Sequence, residues 1–220
     1  MRMKKQCITK NKMIMKKLVM ILMAFCLTMP VAVNAQSKMV KKQVKAKLKE
    51  YEKEGYKVFG TSQTLEAVLT KHYTKLEEKD GKIVEIPGFG VAKSYNLAAT
   101  AAQGSAAQRY AGMCSAQIKG RMLQDMASDV ADNAAEFDKF YAAYEAKIEQ
   151  EIRGELRPSV SVKKELPDGR IRVEAYYLVD EDAASRARVN AFKNSQAESA
   201  AAQKYAQRVS DFVNERVISE

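Results

Sequence analysis

Residues 160–179 read VSVKKELPDGRIRVEAYYLV, and this stretch decides the fold class. Val160 and Val162 alternate with Ser161. Beyond the turn, Ile171, Val173, Ala175, Tyr177 and Val179 alternate with Arg170, Arg172, Glu174 and Tyr176. A period of two is the period of a β-strand. Between the two runs lies Leu166-Pro167-Asp168-Gly169, a turn signal with glycine where a positive φ is needed. The stretch predicts an antiparallel hairpin with one solvated face.

Outward from the hairpin the period changes to that of helices. On its N-terminal side, Phe137, Tyr141, Tyr144, Ile148 and Ile152 recur at helical spacing over 136–156. Before them, 94–131 is rich in alanine, with Leu97, Ala101, Ala107, Ala111, Cys114, Ile118 and Met122 near one face. Gly104, Gly112 and Gly120 cost about 1 kcal/mol each in a helix interior, which suggests close packing or a kink. On the C-terminal side a helix is expected from about 183 to 217, with Phe192, Ser195, Ser199, Ala202, Ala206, Val209, Val213 and Val217 on one face.

Nearer the start, 38–54 predicts a helix through Val40, Val44, Leu48 and Tyr51, stopped by Gly55. Residues 56–59 predict a short strand closed by Gly60. A second helix, capped by Thr61 or Ser62, runs through Leu65, Val68, Leu69, His72, Tyr73 and Leu76 towards the Asp80-Gly81 turn. Residues 83–86 predict another strand. Pro87-Gly88-Phe89-Gly90 has neither a P-loop lysine nor dinucleotide-binding spacing, so it reads as the turn that ends this strand. The expectation is an α+β domain over 36–220: a small mixed or antiparallel sheet of about four strands, covered on one face by long Ala-rich helices.

Ala106-Ala107-Gln108-Arg109-Tyr110-Ala111 reappears as Ala201-Ala202-Gln203-Lys204-Tyr205-Ala206. Either a strand–helix unit is duplicated, or two alanine-rich packing helices converged.

The first 35 residues differ from the rest. They hold Arg2, Lys4, Lys5, Lys10, Lys12, Lys16 and Lys17 and no acid, then an apolar run from Leu18 to Val33, then Val33-Asn34-Ala35. A basic start, a short apolar core and a small-residue exit make a secretory signal peptide, with cleavage between Ala35 and Gln36. The core is shorter than the ~20 residues of a membrane span. Met13 or Met15 is an alternative start. Cys26 follows Phe25, not the small residue that a lipoprotein signal requires, so lipid attachment is not expected.

The chain as a whole carries a formal charge of +10. Without residues 1–35 it carries +3, and one cysteine, Cys114, in place of three. The apparent case for a nucleic-acid partner goes with the leader, and no internal disulfide is expected. The remaining basic excess lies in the first helix, where Lys41, Lys42, Lys45 and Lys49 stand off the apolar stripe. They are either a solubilising face or a contact for an anionic envelope surface.

Little in the sequence points to catalysis. There is one histidine, so a Ser-His-Asp arrangement must use His72 and a multi-His metal centre is excluded. His72 reads as a hydrogen-bonded structural residue, and Cys114 as a buried small hydrophobe or, less simply, a reactive or dimer-forming thiol. Paired carboxylates could serve a hydrolase only if they met in a cleft. No catalytic, cofactor or metal site is assigned.

The Leu97-Ala98-Ala99-Thr100-Ala101-Ala102 helix, with the Arg170–Val179 strand ending in Tyr-Tyr-Leu-Val, resembles the twenty-kilodalton lipoprotein family of Gram-negative envelopes over about 94–180. That family comprises small α+β envelope proteins without an assigned enzymatic role, although this chain lacks the lipidated cysteine. Gly55–Gly60 and Phe137–Tyr144 are similar to uncharacterised exported proteins of Gram-negative anaerobes. The leader and the absence of a catalytic constellation lead to the expectation of a periplasmic or outer-envelope protein of structural or protein-interaction role, with an envelope protein or anionic surface as partner and a homo-oligomer through the long Ala-rich helices as a further expectation. An envelope hydrolase and a subunit of a larger envelope assembly are the alternatives.

Overall fold

The computed structural model describes residues 37–79 and 81–214. The leader, its Ala35/Gln36 junction, Asp80 and Val217 lie outside the described residues.

From Lys38 the order is α1 (Lys38–Glu54), β1 (Lys57–Val58), α2 (Leu65–Glu78), β2 (Ile83–Ala92), α3 (Tyr95–Asp125), α4 (Ala127–Asp132), α5 (Ala134–Arg153), β3 (Pro158–Glu165), β4 (Ile171–Asp180), α6 (Glu181–Ser195), a 3-10 turn (Gln196–Glu198), α7 (Ala200–Lys204) and α8 (Ala206–Asn214). The fold is α+β. Its sheet has four strands in the order β1-β3-β4-β2, and every pairing is antiparallel. The expected hairpin is β3–β4, turned at Gly169 with φ +77°. The Gly169 N–H donates to the Leu166 carbonyl at 2.9 Å, and Asp168 accepts the Arg170 N–H at 3.0 Å.

β2 does not stop at Pro87. It continues through Gly90 to Ala92, with Ile83 opposite Asp180 and Ala92 opposite Ile171. The Pro-Gly-Phe-Gly segment is therefore strand, not turn. Proline is tolerated because β2 is an edge strand. The glycines serve a different purpose from a turn. A Cβ on Gly88 would stand 2.1 Å from the Ala102 carbonyl oxygen, and one on Gly90 would stand 2.0 Å from that of Ala98. Helix α3 lies directly on the backbone of β2, and its contact row is Ala98, Ala102 and Ala106, all fully buried.

That row lies beside the face expected from the sequence. Ala107, Ala111, Cys114, Ile118 and Met122 are buried as expected, but Leu97 is 62% exposed and Ala101 is exposed. The helix glycines do not pack closely. A Cβ on Gly104 or Gly120 would meet nothing within 4 Å, and one on Gly112 only Glu145 Oε1 at 4.0 Å. α3 runs unbroken past all three.

Helices pack against both faces of the sheet, not one. On one face Val84, Ile86, Val173, Ala175, Tyr177 and Val179 join α3, α5 and α6 in the larger core. On the other, Val160 and Val162 meet Val40, Val44 and Tyr51 of α1 and Val68 and Leu69 of α2. The polar-looking alternate positions of β4 are consequently sheltered. Glu174 is buried and accepts a hydrogen bond from the Tyr56 hydroxyl, with Arg172 at 3.3 Å.

The expected C-terminal helix keeps its apolar face but is broken. Ser199 adopts extended backbone (φ −149°, ψ 122°), and its hydroxyl accepts the Ala202 N–H. The repeated Ala-Ala-Gln segment thus crosses the α7–α8 junction, whereas its counterpart sits inside α3, so the two copies are not equivalent. The cap of α2 is Thr64, not Thr61 or Ser62, and its Oγ1 accepts the Ala67 N–H at 3.3 Å. Arg188, 1% exposed, ties the C-terminal helices inward. It pairs with Glu181 at 2.7 Å and donates to the Tyr110 hydroxyl at 2.7 Å and the Val213 carbonyl at 3.2 Å.

Candidate functional site

Helix α3 packs on β2 and β4 and leaves β3 uncovered on that face. β1 pairs with β3 for only two residues before Gly60, at φ +78°, turns the chain away. These two omissions open a cleft of about 380 Å3. Its floor includes Ser159, Ser161 and Tyr177, with Thr100 and Gln103 of α3 and Lys71 of α2 on its walls.

Ser159 occupies a bulge. Pro158 pairs with Tyr177 and Val160 with Tyr176, so Ser159 is the extra residue. A bulge re-aims the side chain it carries. The Ser159 hydroxyl lies 3.1 Å from Nδ1 of His72, whose Nε2 lies 2.8 Å from Glu85 Oε1. His72 is 2% exposed and flanked by the Tyr73 and Tyr176 rings, at 5.0 and 5.8 Å between centroids. It joins α2 to β2 and β3. Both ring nitrogens have partners, as expected for a structural histidine. The same contacts align a serine, a histidine and a carboxylate. The serine is on Nδ1, whereas the familiar hydrolase arrangement places it on Nε2.

Tyr177 at the cleft floor is 4% exposed. Among the described residues its hydroxyl has no hydrogen-bond partner, and burial alone pushes its pKa up to about 12.

The basic residues of α1 stand where the sequence places them. Lys41, Lys42, Lys45 and Lys49 are exposed and form no ion pair among the described residues. Cys114 is 1% exposed; burial pushes its thiol up to about 12, which opposes the reactive reading. Among the described residues no carboxylate lines the cleft. In the separate acidic hollow near the end of β4, Asp180 pairs with Lys79 and Glu181 with Arg188. Among the described residues, no group of three or more His, Cys, Asp or Glu could hold a metal ion, and no helix is long and apolar enough to cross a membrane.

Sequence reasoning missed Ser159, Glu85 and Tyr177. Strict alternation puts Ser159 on the same face as Ser161, and only the bulge turns it towards His72. Glu85 gave a usable signal, as an acid inside the apolar run Ile83–Ile86. Comparison with protein-family models, with curated proteins and with solved structures finds no match.

Proposed function

We propose that this chain is an exported cell-envelope protein, periplasmic or outer-envelope, that acts by contact and not by catalysis, with the basic face of α1 meeting an anionic surface or an acidic envelope protein. The observation that carries the reading is the set Lys41, Lys42, Lys45 and Lys49, exposed and unpaired among the described residues on one helix. Each lysine near an anionic membrane surface contributes about 1 kcal/mol, screened by salt. The leader pattern of residues 1–35 and the resemblance to small envelope proteins support export. The test has two parts. Protein recovered from the envelope should begin at Gln36 by intact mass; recovery from the cytosol with residues 1–35 retained counts against export. Vesicles containing phosphatidylglycerol should co-sediment the protein at low salt, and replacing the four lysines with glutamate should abolish this. Equal sedimentation of the variant rejects the basic face.

A second reading, an envelope hydrolase, is favoured by the Ser159–His72–Glu85 chain beside a cleft. It replaces paired carboxylates with a serine nucleophile. A fluorophosphonate probe that labels the protein, but not its Ser159→Ala variant, supports it; an unlabelled native protein excludes a reactive serine.

A further inference from the structure

The cleft has unused hydrogen-bonding capacity of two kinds, and together they specify a ligand. One kind asks for an acceptor. Among the described residues the Tyr177 hydroxyl is a donor without a partner, and it belongs to a residue more than nine-tenths buried that lines an open cavity. An unmet polar group so placed needs water or a ligand. Lys71, on the wall, forms no ion pair among the described residues, and no acid lines the cleft to oppose its charge. A carboxylate or phosphate oxygen answers both, since a charged acceptor makes the stronger hydrogen bond.

The other kind asks for donors. Thr100 has spent its hydroxyl proton on the Asn96 carbonyl, at 2.9 Å. Gln103 has turned its amide nitrogen to the Arg153 carbonyl, at 3.3 Å. What remains on these two walls is the Thr100 lone pairs and Gln103 Oε1 as acceptors, with the second Gln103 N–H as the one donor left. Ligand hydroxyls match them. The volume, about 380 Å3, falls within the ~300–1,000 Å3 of small-molecule sites.

We infer that the cleft binds a polyhydroxylated oxyanion, a sugar acid or a sugar phosphate, whose anionic oxygen accepts the Tyr177 O–H beside Lys71 while its hydroxyls donate to Thr100 and Gln103. This stands independently of export and of the α1 lysines.

Isothermal titration calorimetry of the purified full-length protein tests it with glucuronate, glucose 6-phosphate and glucose. Saturable binding of glucuronate identifies a carboxylate site, of glucose 6-phosphate a phosphate site, and of both an oxyanion site; each supports the inference. Glucose should bind at least tenfold more weakly. Tyr177→Phe removes only an unpaired hydroxyl, so it should keep its melting temperature and lose at least fivefold in affinity, as should Lys71→Gln. The variant lacking the four α1 lysines should bind as the parent does. Failure of both anions to bind, equal binding of glucose, or unchanged affinity in Tyr177→Phe overturns the inference.

Discussion

The carbonyl oxygen of Ala98 lies where a side chain on Gly90 would begin, 2.0 Å from the position of its Cβ. Gly88 has the same relationship to Ala102 at 2.1 Å, so two successive inward positions of β2 are closed to every other residue. The obstacle is backbone on both sides, and neither element can turn aside as a side chain can. Gly90→Ala should therefore lift α3 from β2 and cost about 3 kcal/mol or more, above the usual range for overpacking. Gly104→Ala, in open space on the same helix, should stabilise by up to about 1 kcal/mol. Urea denaturation of the two variants, measured together, checks the contrast.

Arg188 is charged, almost fully buried and bonded to three elements. Removing one partner of a buried pair costs about 3–5 kcal/mol, because the other is left uncompensated. Arg188→Ala should lose that much in chemical denaturation. It should also speed amide exchange in α8 first, since the Val213 carbonyl loses its donor.

Stability should fall steeply in alkali. Burial raises the phenols of Tyr110, Tyr141, Tyr144 and Tyr177 above 10, and the Cys114 thiol above 9, with Tyr141, Tyr177 and Cys114 reaching about 12. The folded chain thus keeps protons that the unfolded chain releases. The contribution is whole below about pH 9 and lost as pH rises through the folded values near 12. The urea midpoint should hold from pH 7 to 9 and drop beyond 10. The part of the tyrosinate absorbance that belongs to these four buried phenols should rise with the unfolding transition.

Cys114 should be inert while the protein is folded. A thiol so raised is protonated at pH 8, and thiolate is the reactive form. Ellman's reagent should react at the rate of global unfolding, and added urea should accelerate it. Fast labelling in native buffer would show that α3 opens locally.

The elements legible in the sequence are those whose periodicity and punctuation agree. Val160–Val179 carries strand alternation about an Asp-Gly turn, and Phe137–Ile152 carries a helical stripe; both are seen. The errors arise where tertiary contact gives a residue a meaning that local pattern lacks. Pro87 and Gly88 signal a turn in isolation, yet an edge position excuses the proline and an overlying helix demands the glycine. Leu97 outranks Ala98 in hydrophobicity, but only Ala98 is small enough to lie on Gly90. Ser195 and Ser199 read as small members of one face, while Ser199 starts a new helix. The lysine face of α1 was readable because exposure needs no partner. The cleft was not, because it is made by two elements that stop short, β1 and the reach of α3, and absence of coverage leaves no mark on residues 158–161.

The two β2 glycines bear on more than stability. They fix the height of α3, and α3 supplies the wall that holds Thr100 and Gln103. Neither glycine lines the cleft, yet together they act as its gauge. A methyl group added beneath the helix would move those two oxygens relative to Tyr177. The selectivity of the cavity is thus calibrated from outside it, by positions that no ligand would touch.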